Sequence, residues 1–305
     1  MTVQCVLTGK LLNIQQNLLT LKIIKEFIQT NIYISVAAVL LTVESQIQLG
    51  MQARWHPYLF LIFFATLFEY NLHRLITVLT NKEALNREKY RWVSENTRSF
   101  YILVFISVTG FIAVSLMATK EVLLTFAPIA ALTIFYSIPV KANKNQLFRL
   151  REIPYVKLLL IAFVWSASTV LLPIVQSLES FNKTDVLLIL LERFLFIAAI
   201  TIPFDIRDLK TDRSEGLKTL PMLVGEKRAW LLSYLLLLSF FLISYFHYGS
   251  INQGWMIWAL GISTATTFWV LYSKRIRKHH DYHYGILDGT MILQAILMIV
   301  FYYFN

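Results

Sequence analysis

Three aspartates, Asp205, Asp208 and Asp212, fall within the run PFDIRDLKTDRSEGLKTLP, where the chain leaves about twenty almost wholly apolar residues. Wound as a helix of 3.6 residues per turn, they lie at about 0°, 300° and 340° around its axis, with Glu215 at about 280°. Arg207, Lys210, Arg213 and Ser214 fall on the far side of the same helix. Carboxylates about 6 Å apart at an effective dielectric of about 20 repel by on the order of 3 kcal/mol per pair, so a cation is expected among them. Mg²⁺ suits such a set, because it prefers carboxylate oxygen and commonly bridges to a substrate phosphate. A solvated loop whose acids pair with neighbouring Arg and Lys is the other arrangement the residues allow.

Those aspartates need a scaffold, and the composition says which. The chain has 305 residues, 57% hydrophobic and 15% charged, with a net charge of +10; a soluble domain carries roughly 25% charged residues. Windows of about 17 to 22 apolar residues, long enough for a helix to cross a bilayer, recur nine times. They are placed at Ile32 to Leu49, Pro57 to Leu79, Phe100 to Met117, Val122 to Pro139, Ile153 to Pro173, Val186 to Phe204, Trp230 to His247, Trp255 to Tyr272 and Ile286 to Phe304. Of 28 Lys and Arg, 24 lie in the N-terminal segment or about the loops after spans two, four, six and eight; the exceptions are Arg54, Lys120, Lys183 and Arg193. Lys and Arg concentrate on the cytoplasmic side of membrane proteins. The expected topology therefore has the N-terminus in the cytoplasm and the C-terminus outside, and the basic excess reports topology rather than nucleic acid. An all-helical membrane protein is predicted: residues 1–31 form an amphipathic surface segment with no cleavable signal, and residues 32–305 the membrane domain. The single Cys5 excludes an internal disulfide framework.

The pattern Asp-x-x-Asp-x-x-x-Asp, followed by Gly216, Thr219-Leu220-Pro221 and Gly225, resembles the second aspartate motif of the UbiA family of intramembrane prenyltransferases. As in that family, it follows the sixth of nine spans on the predicted cytoplasmic side. The segment YSIPVKANKNQLFRLREIPYVK, after span four, is similar to the family's Tyr and Lys/Arg loop, with one residue more between Tyr136 and Lys141 than the common Tyr-x-x-x-Lys form. The resemblance implies nine helices around a central cavity and Mg²⁺ on Asp205, Asp208 and Asp212 as the catalytic and metal-binding group. It also implies an isoprenyl diphosphate whose allylic cation alkylates a lipophilic, commonly aromatic, acceptor. Tyr136, Lys141, Arg149 and Lys157 would then line the diphosphate site, the basic ones through charge-assisted hydrogen bonds; ordinary positive-inside loading also accounts for Lys141, Arg149, Arg151 and Lys157.

The resemblance breaks at span two. The family's first motif, Asn-Asp-x-x-Asp-x-x-x-Asp, falls on FEYNLHRLITVLTNK, where Asn71 is followed by Leu72, Leu75 and Leu79 in place of the three aspartates. Leucine cannot ligate a metal, so a symmetric two-motif clamp is not available. Three readings follow. In one, a working prenyltransferase uses Asn71 and Arg74, with His73 nearby, as the opposite wall, since a guanidinium grips phosphate without a metal. In the second, a relative without catalysis binds an isoprenoid lipid. In the third, a small transporter uses the intramembrane Glu69, Glu192 and Arg193, although adjacent Glu192 and Arg193 are also expected to form an internal ion pair. Lys278 to Tyr284, KHHDYHY, is expected to be an interfacial anchor. The aromatics suit both a lipid belt and a cavity that shields a cation. No Walker loop, dinucleotide fingerprint, Cys/His metal spacing or nucleophile elbow occurs.

Overall fold

The computed structural model describes residues 22–80, 88–137, 140–142, 146–148, 153, 156–177, 179–214 and 218–305; side chains at 80, 88, 89, 137, 140–142, 146–148 and 214 are outside the description. The helices are α1 Lys22–Gln29, α2 Ile32–Gln48, α3 Pro57–Thr80, α4 Glu88–Glu95, α5 Thr97–Ser115, α6 Lys120–Ser137, α7 Val156–Gln176, α8 Lys183–Ser214, α9 Leu220–Val224, α10 Glu226–Ser250, α11 Gly254–Tyr272, α12 Lys274–Arg277 and α13 Asp288–Phe304. One departure from the all-helical expectation lies between α6 and α7, where β1 Val140–Ala142 pairs antiparallel with β2 Gln146–Phe148. This small hairpin sits in the polar Lys/Arg loop, where hydropathy carries no strand signal.

All nine expected spans coincide with helices. Among the described residues, seven are long and apolar enough to cross a membrane, or eight if the bent pair α1–α2 counts as one span. The number nine is thus not established, and α6 is the helix outside the set. Phe105, Trp258, Trp269 and Leu187 stand largely exposed on the outside of the assembly, as lipid-facing side chains must. The chain is an integral, multi-pass membrane protein.

Packing runs in a circuit: α2 against α3, α3 against α6, α6 against α7, α7 against α8, α8 against α10, α10 against α11, α11 against α13, and α13 back onto α2, while α5 packs on α3. Near the C-terminal end of α3, Leu75 joins Trp92, Val93 and Phe100 in an apolar cluster, and Leu79 is 66% exposed. At Leu75, a position where the family's first motif has an aspartate, the side chain therefore serves helix packing.

Two local devices set the site. The 32 residues of α8 extend about 48 Å, well beyond a hydrocarbon core of about 30 Å, so the helix carries the aspartates past the apolar zone. Pro203, inside α8, has no N–H for the carbonyl of Ala199. Ser233 Oγ of α10 donates to that carbonyl at 2.7 Å instead. At the other device, Asn31 takes a left-handed conformation at φ 63° and turns the chain by 74° between α1 and α2, which asparagine tolerates better than most residues. Its amide donates to Asn71 Oδ1 at 3.0 Å, and Arg74 donates to the carbonyl of Gln29. The last carbonyl of α1 is thereby satisfied.

Candidate functional site

Residues of α2, α3, α6, α7, α8, the turn Tyr282–Leu287 and α13 enclose a cavity of about 270 Å³. One end is charged, with Lys157, Asp205, Arg207 and Asp208 on α7 and α8, and His73 and Arg74 on α3. The rest is mostly apolar, with Ile34, Ile161, Val164, Trp165, Ile200 and Met291, and also holds the carboxylates of Glu69 and Asp288. An apolar extension of about 90 Å³ shares Glu69, Tyr70, Thr133, Val164 and Trp165 with it and continues to Ala38, Ile62 and Phe126. The cavity thus joins a cluster of charged side chains to a larger apolar lining.

At the head, α8 stays helical through Ser214 as the spacing of the aspartates anticipates. Lys157 Nζ lies 2.8 Å from Asp205 Oδ1 and donates to Asp212 Oδ2 at 3.2 Å. Asp205 Oδ1 is buried, and Lys157 is the cation that meets it. Asp208 accepts two bonds of 2.8 Å from Arg207 Nε and Nη2. Arg207 corrects the two-face expectation: it lines the cavity beside Asp208 rather than the far side of the helix, because its long stem spans the roughly 100° between successive positions. Its guanidinium stacks over Phe204 and Tyr284 at 5.1 and 4.8 Å from the ring centres.

Two of the three aspartates, Asp205 and Asp208, line the cavity; Asp212 stands behind them through Lys157. Among the described residues, no group of three or more His, Cys, Asp or Glu side chains is arranged to hold a metal ion. Carboxylate oxygen is nonetheless the right donor, and Mg²⁺ sites commonly use one or two carboxylates and complete the shell with water and substrate phosphate. The pair Asp205 and Asp208 fits such a site; a three-aspartate cage does not.

The remaining residues named from the sequence divide. Tyr136, Lys157 and Arg74 line the cavity. Asn71 does not: it is fully buried, accepts from Asn31 and donates to Leu67 O at 2.7 Å, so its amide is spent on holding α1 and α3 together. Lys141 and Arg149 have side chains outside the described residues, as does Arg151. Sequence reasoning missed Tyr284 and Asp288, both of which line the cavity. KHHDYHY is therefore more than an anchor: Tyr282 is buried and Tyr284 faces the site, whereas His279 and His280 are exposed. A π-helical turn over Tyr282–Leu287 makes the difference, and hydropathy does not reveal it.

The Glu192–Arg193 ion pair is also corrected. Neighbours in a helix point about 100° apart, and each finds a partner elsewhere. Arg193 pairs with Glu44 at 3.0 Å and donates to Leu41 O, Ser45 and Gln48, each at 3.2 Å. Glu192 meets His247 Nδ1 at 2.8 Å and accepts from the Tyr248 hydroxyl at 3.0 Å.

The profile of the UbiA prenyltransferase family matches residues 84–283 of this sequence. The chain belongs to the UbiA prenyltransferase family. The match begins after α3, so the segment in which Leu72, Leu75 and Leu79 replace acids lies outside it. No curated protein matches the sequence. Among solved structures, a UbiA homolog from Archaeoglobus fulgidus is 14% identical, with a TM-score of 0.59 over 91% of this chain and 98% of its own. A UbiA homolog from Aeropyrum pernix K1 is 17% identical, with a TM-score of 0.55 over 92% of this chain and 96% of its own. The Archaeoglobus protein has also been solved bound to DMAPP and Mg²⁺, there 15% identical with a TM-score of 0.53 over 89% of this chain and 99% of its own. At these identities the likeness establishes the UbiA fold.

Proposed function

We propose that this protein is a Mg²⁺-dependent intramembrane prenyltransferase that moves an isoprenyl group from its diphosphate to a lipophilic aromatic acceptor. The observation that carries the reading is the polarity of the cavity: Lys157, Asp205, Arg207 and Asp208 gather at one end of a long apolar pocket. A diphosphate belongs at that end and a hydrocarbon chain along the rest. The Archaeoglobus homolog, bound to DMAPP and Mg²⁺, supports the same assignment by family membership.

In this reading Asp205 and Asp208 hold Mg²⁺, which, when bound, neutralises charge on the departing diphosphate. Lys157 and Arg74 donate to phosphate oxygens, and Lys141, Arg149 and Tyr136 belong to the same diphosphate-facing group. Arg74 takes over from the absent first motif, since a guanidinium supplies positive charge without needing a metal. Asp212 is a positioning residue: it orients Lys157, which it meets at 3.2 Å. Asn71 acts through packing. The aromatic and aliphatic walls exclude water, which would otherwise capture the allylic cation. The charged end of the cavity faces the cytoplasm, with the N-terminus there and the C-terminus outside, in keeping with the placement of Lys and Arg.

The test is purified protein in lipid nanodiscs with dimethylallyl, geranyl and longer diphosphates, a panel of aromatic acceptors, and Mg²⁺ or EDTA. Prenylated product that needs Mg²⁺ and falls on the order of a hundredfold in Asp208→Asn is the expected result. The loss of Leu72, Leu75 and Leu79 as ligands favours a second reading, an isoprenoid-binding protein without turnover. Tight Mg²⁺-dependent binding of the diphosphate with no product in any combination selects that reading.

A further inference from the structure

Among the charged side chains that line the cavity, Asp288 differs from the rest. Asp205 is met by Lys157, Asp208 by Arg207, and Arg74 donates to Gln29 O; Glu69 and His73 have contacts of their own. Among the described residues, the Asp288 carboxylate has no hydrogen bond and no ion pair of its own; the positive charge that acts on it is that of Arg207, which is already paired with Asp208. Such a group in a confined space loses hydration without regaining a partner, and a ligand that supplies a hydrogen-bond donor would restore it.

Its position is built rather than accidental. Asp288 is the first residue of α13 and continues without a break from the π-helical turn Tyr282–Leu287. The turn before it is pinned by Tyr33 of α2, whose hydroxyl donates to Gly285 O at 3.0 Å. Gly289 follows, and a Cβ there would lie 2.5 Å from the Tyr33 hydroxyl, so glycine is what lets α2 approach this closely. Around the carboxylate the cavity offers Tyr33, Tyr70, Phe204, Tyr284 and Met291, walls suited to an aromatic ring.

We propose that Asp288 binds the acceptor: its carboxylate receives the hydroxyl of an uncharged phenol and takes the proton as the acceptor is alkylated. This rests on the prenyl-transfer reading above. In the step, the C1–O bond of the isoprenyl diphosphate breaks and its electron pair leaves with the diphosphate. A lone pair of the acceptor oxygen forms the new bond to C1, and the hydroxyl proton passes to Asp288. The acceptor class follows from the charges. Lys157 and Arg207 are already paired with carboxylates and Arg74 serves the diphosphate, so a carboxylated acceptor would add an anion next to Asp288 without a cation of its own, whereas a neutral phenol supplies the missing donor.

The experiment is calorimetric titration of the full-length protein in nanodiscs with three probes: 1-naphthol, 1-methoxynaphthalene and 4-hydroxy-1-naphthoate. The expected result is saturable binding of 1-naphthol, with the ether and the carboxylate each on the order of tenfold weaker. In Asp288→Asn, 1-naphthol should fall to the level of the ether while geranyl diphosphate with Mg²⁺ binds within about twofold of wild type. The proposal is overturned if 1-naphthol shows no saturable binding, if either other probe equals it, or if Asp288→Asn leaves it unchanged. Should Asp288→Asn not fold, the naphthol-to-ether ratio on the wild-type protein decides alone. Absence of geranyl diphosphate binding in wild type would sink the prenyl-transfer reading instead, and the naphthol series would still decide the role of Asp288.

Discussion

Two ionic clusters hang on the same helix, about 18 Å apart along α8, and only one of them reaches the cavity. Around Arg193 and Glu192, every principal charge is matched by an element far away in sequence: Glu44 and Gln48 of α2, His247 and Tyr248 of α10. Gln294 of α13 donates to the other oxygen of Glu44 at 2.9 Å and accepts from Ser263 of α11. Arg193, Glu44 and Glu192 are all nearly inaccessible, and none of them lines the cavity or its apolar extension. Around Asp205 and Asp208 the pairing is local or looser, and the groups border the cavity. Similar residues on one helix thus have different uses, because partners at the first cluster close it off and at the second leave one face open. The contrast also weakens the transporter reading, since Glu192 and Arg193 are absorbed by packing between five helices.

The comparison can be broken from either side. The largest effect is expected for Arg193→Leu, which leaves Glu44 buried without its cation: a loss of about 3–5 kcal/mol, read as loss of folded, monodisperse protein on heating, with much of it regained when Glu44→Gln is added. Lys157→Ala should lower prenyl transfer on the order of a hundredfold. It should also increase the thermal stabilisation given by Mg²⁺ relative to wild type, because Asp205 and Asp212 lose their resident cation; an unchanged response to Mg²⁺ would separate Lys157 from the metal site. His247→Phe deprives Glu192 of one partner and should cost about 1–3 kcal/mol of stability without altering diphosphate affinity. Arg74→Ala should slow transfer about tenfold, and a native rate in a folded protein would leave the missing first motif without a substitute. Smallest is Tyr33→Phe, expected to cost about 1 kcal/mol through the lost bond to Gly285 O.

The spans were legible because each is a continuous apolar run, and the three aspartates were legible because they lie on one face of one helix. Lys157 could be named from the loop that resembles the family's Tyr and Lys/Arg segment, and Arg74 from its place within a turn of Asn71. What could not be read was rotation. Whether Leu72 and Leu75 or His73 and Arg74 face the cavity depends on how α3 turns against α5, and the sequence of α3 alone does not fix that. The network at Arg193 joins residues 149 positions apart, and Gln294 reaches Glu44 across 250; no local spacing announces such pairs. Asp288 escaped notice because it stands at the head of the last apolar run, alone, with the π-helical turn that aims it into the cavity invisible to hydropathy.

The central claim is that Asp205 and Asp208 form half a metal-diphosphate site that works without a second acidic motif. It is tested most directly by titrating geranyl diphosphate into wild type and Asp208→Asn, each with Mg²⁺ and with EDTA. The account predicts saturable binding to wild type only with Mg²⁺, weakened on the order of a hundredfold in Asp208→Asn. Equal affinity with EDTA, or in Asp208→Asn, would contradict it.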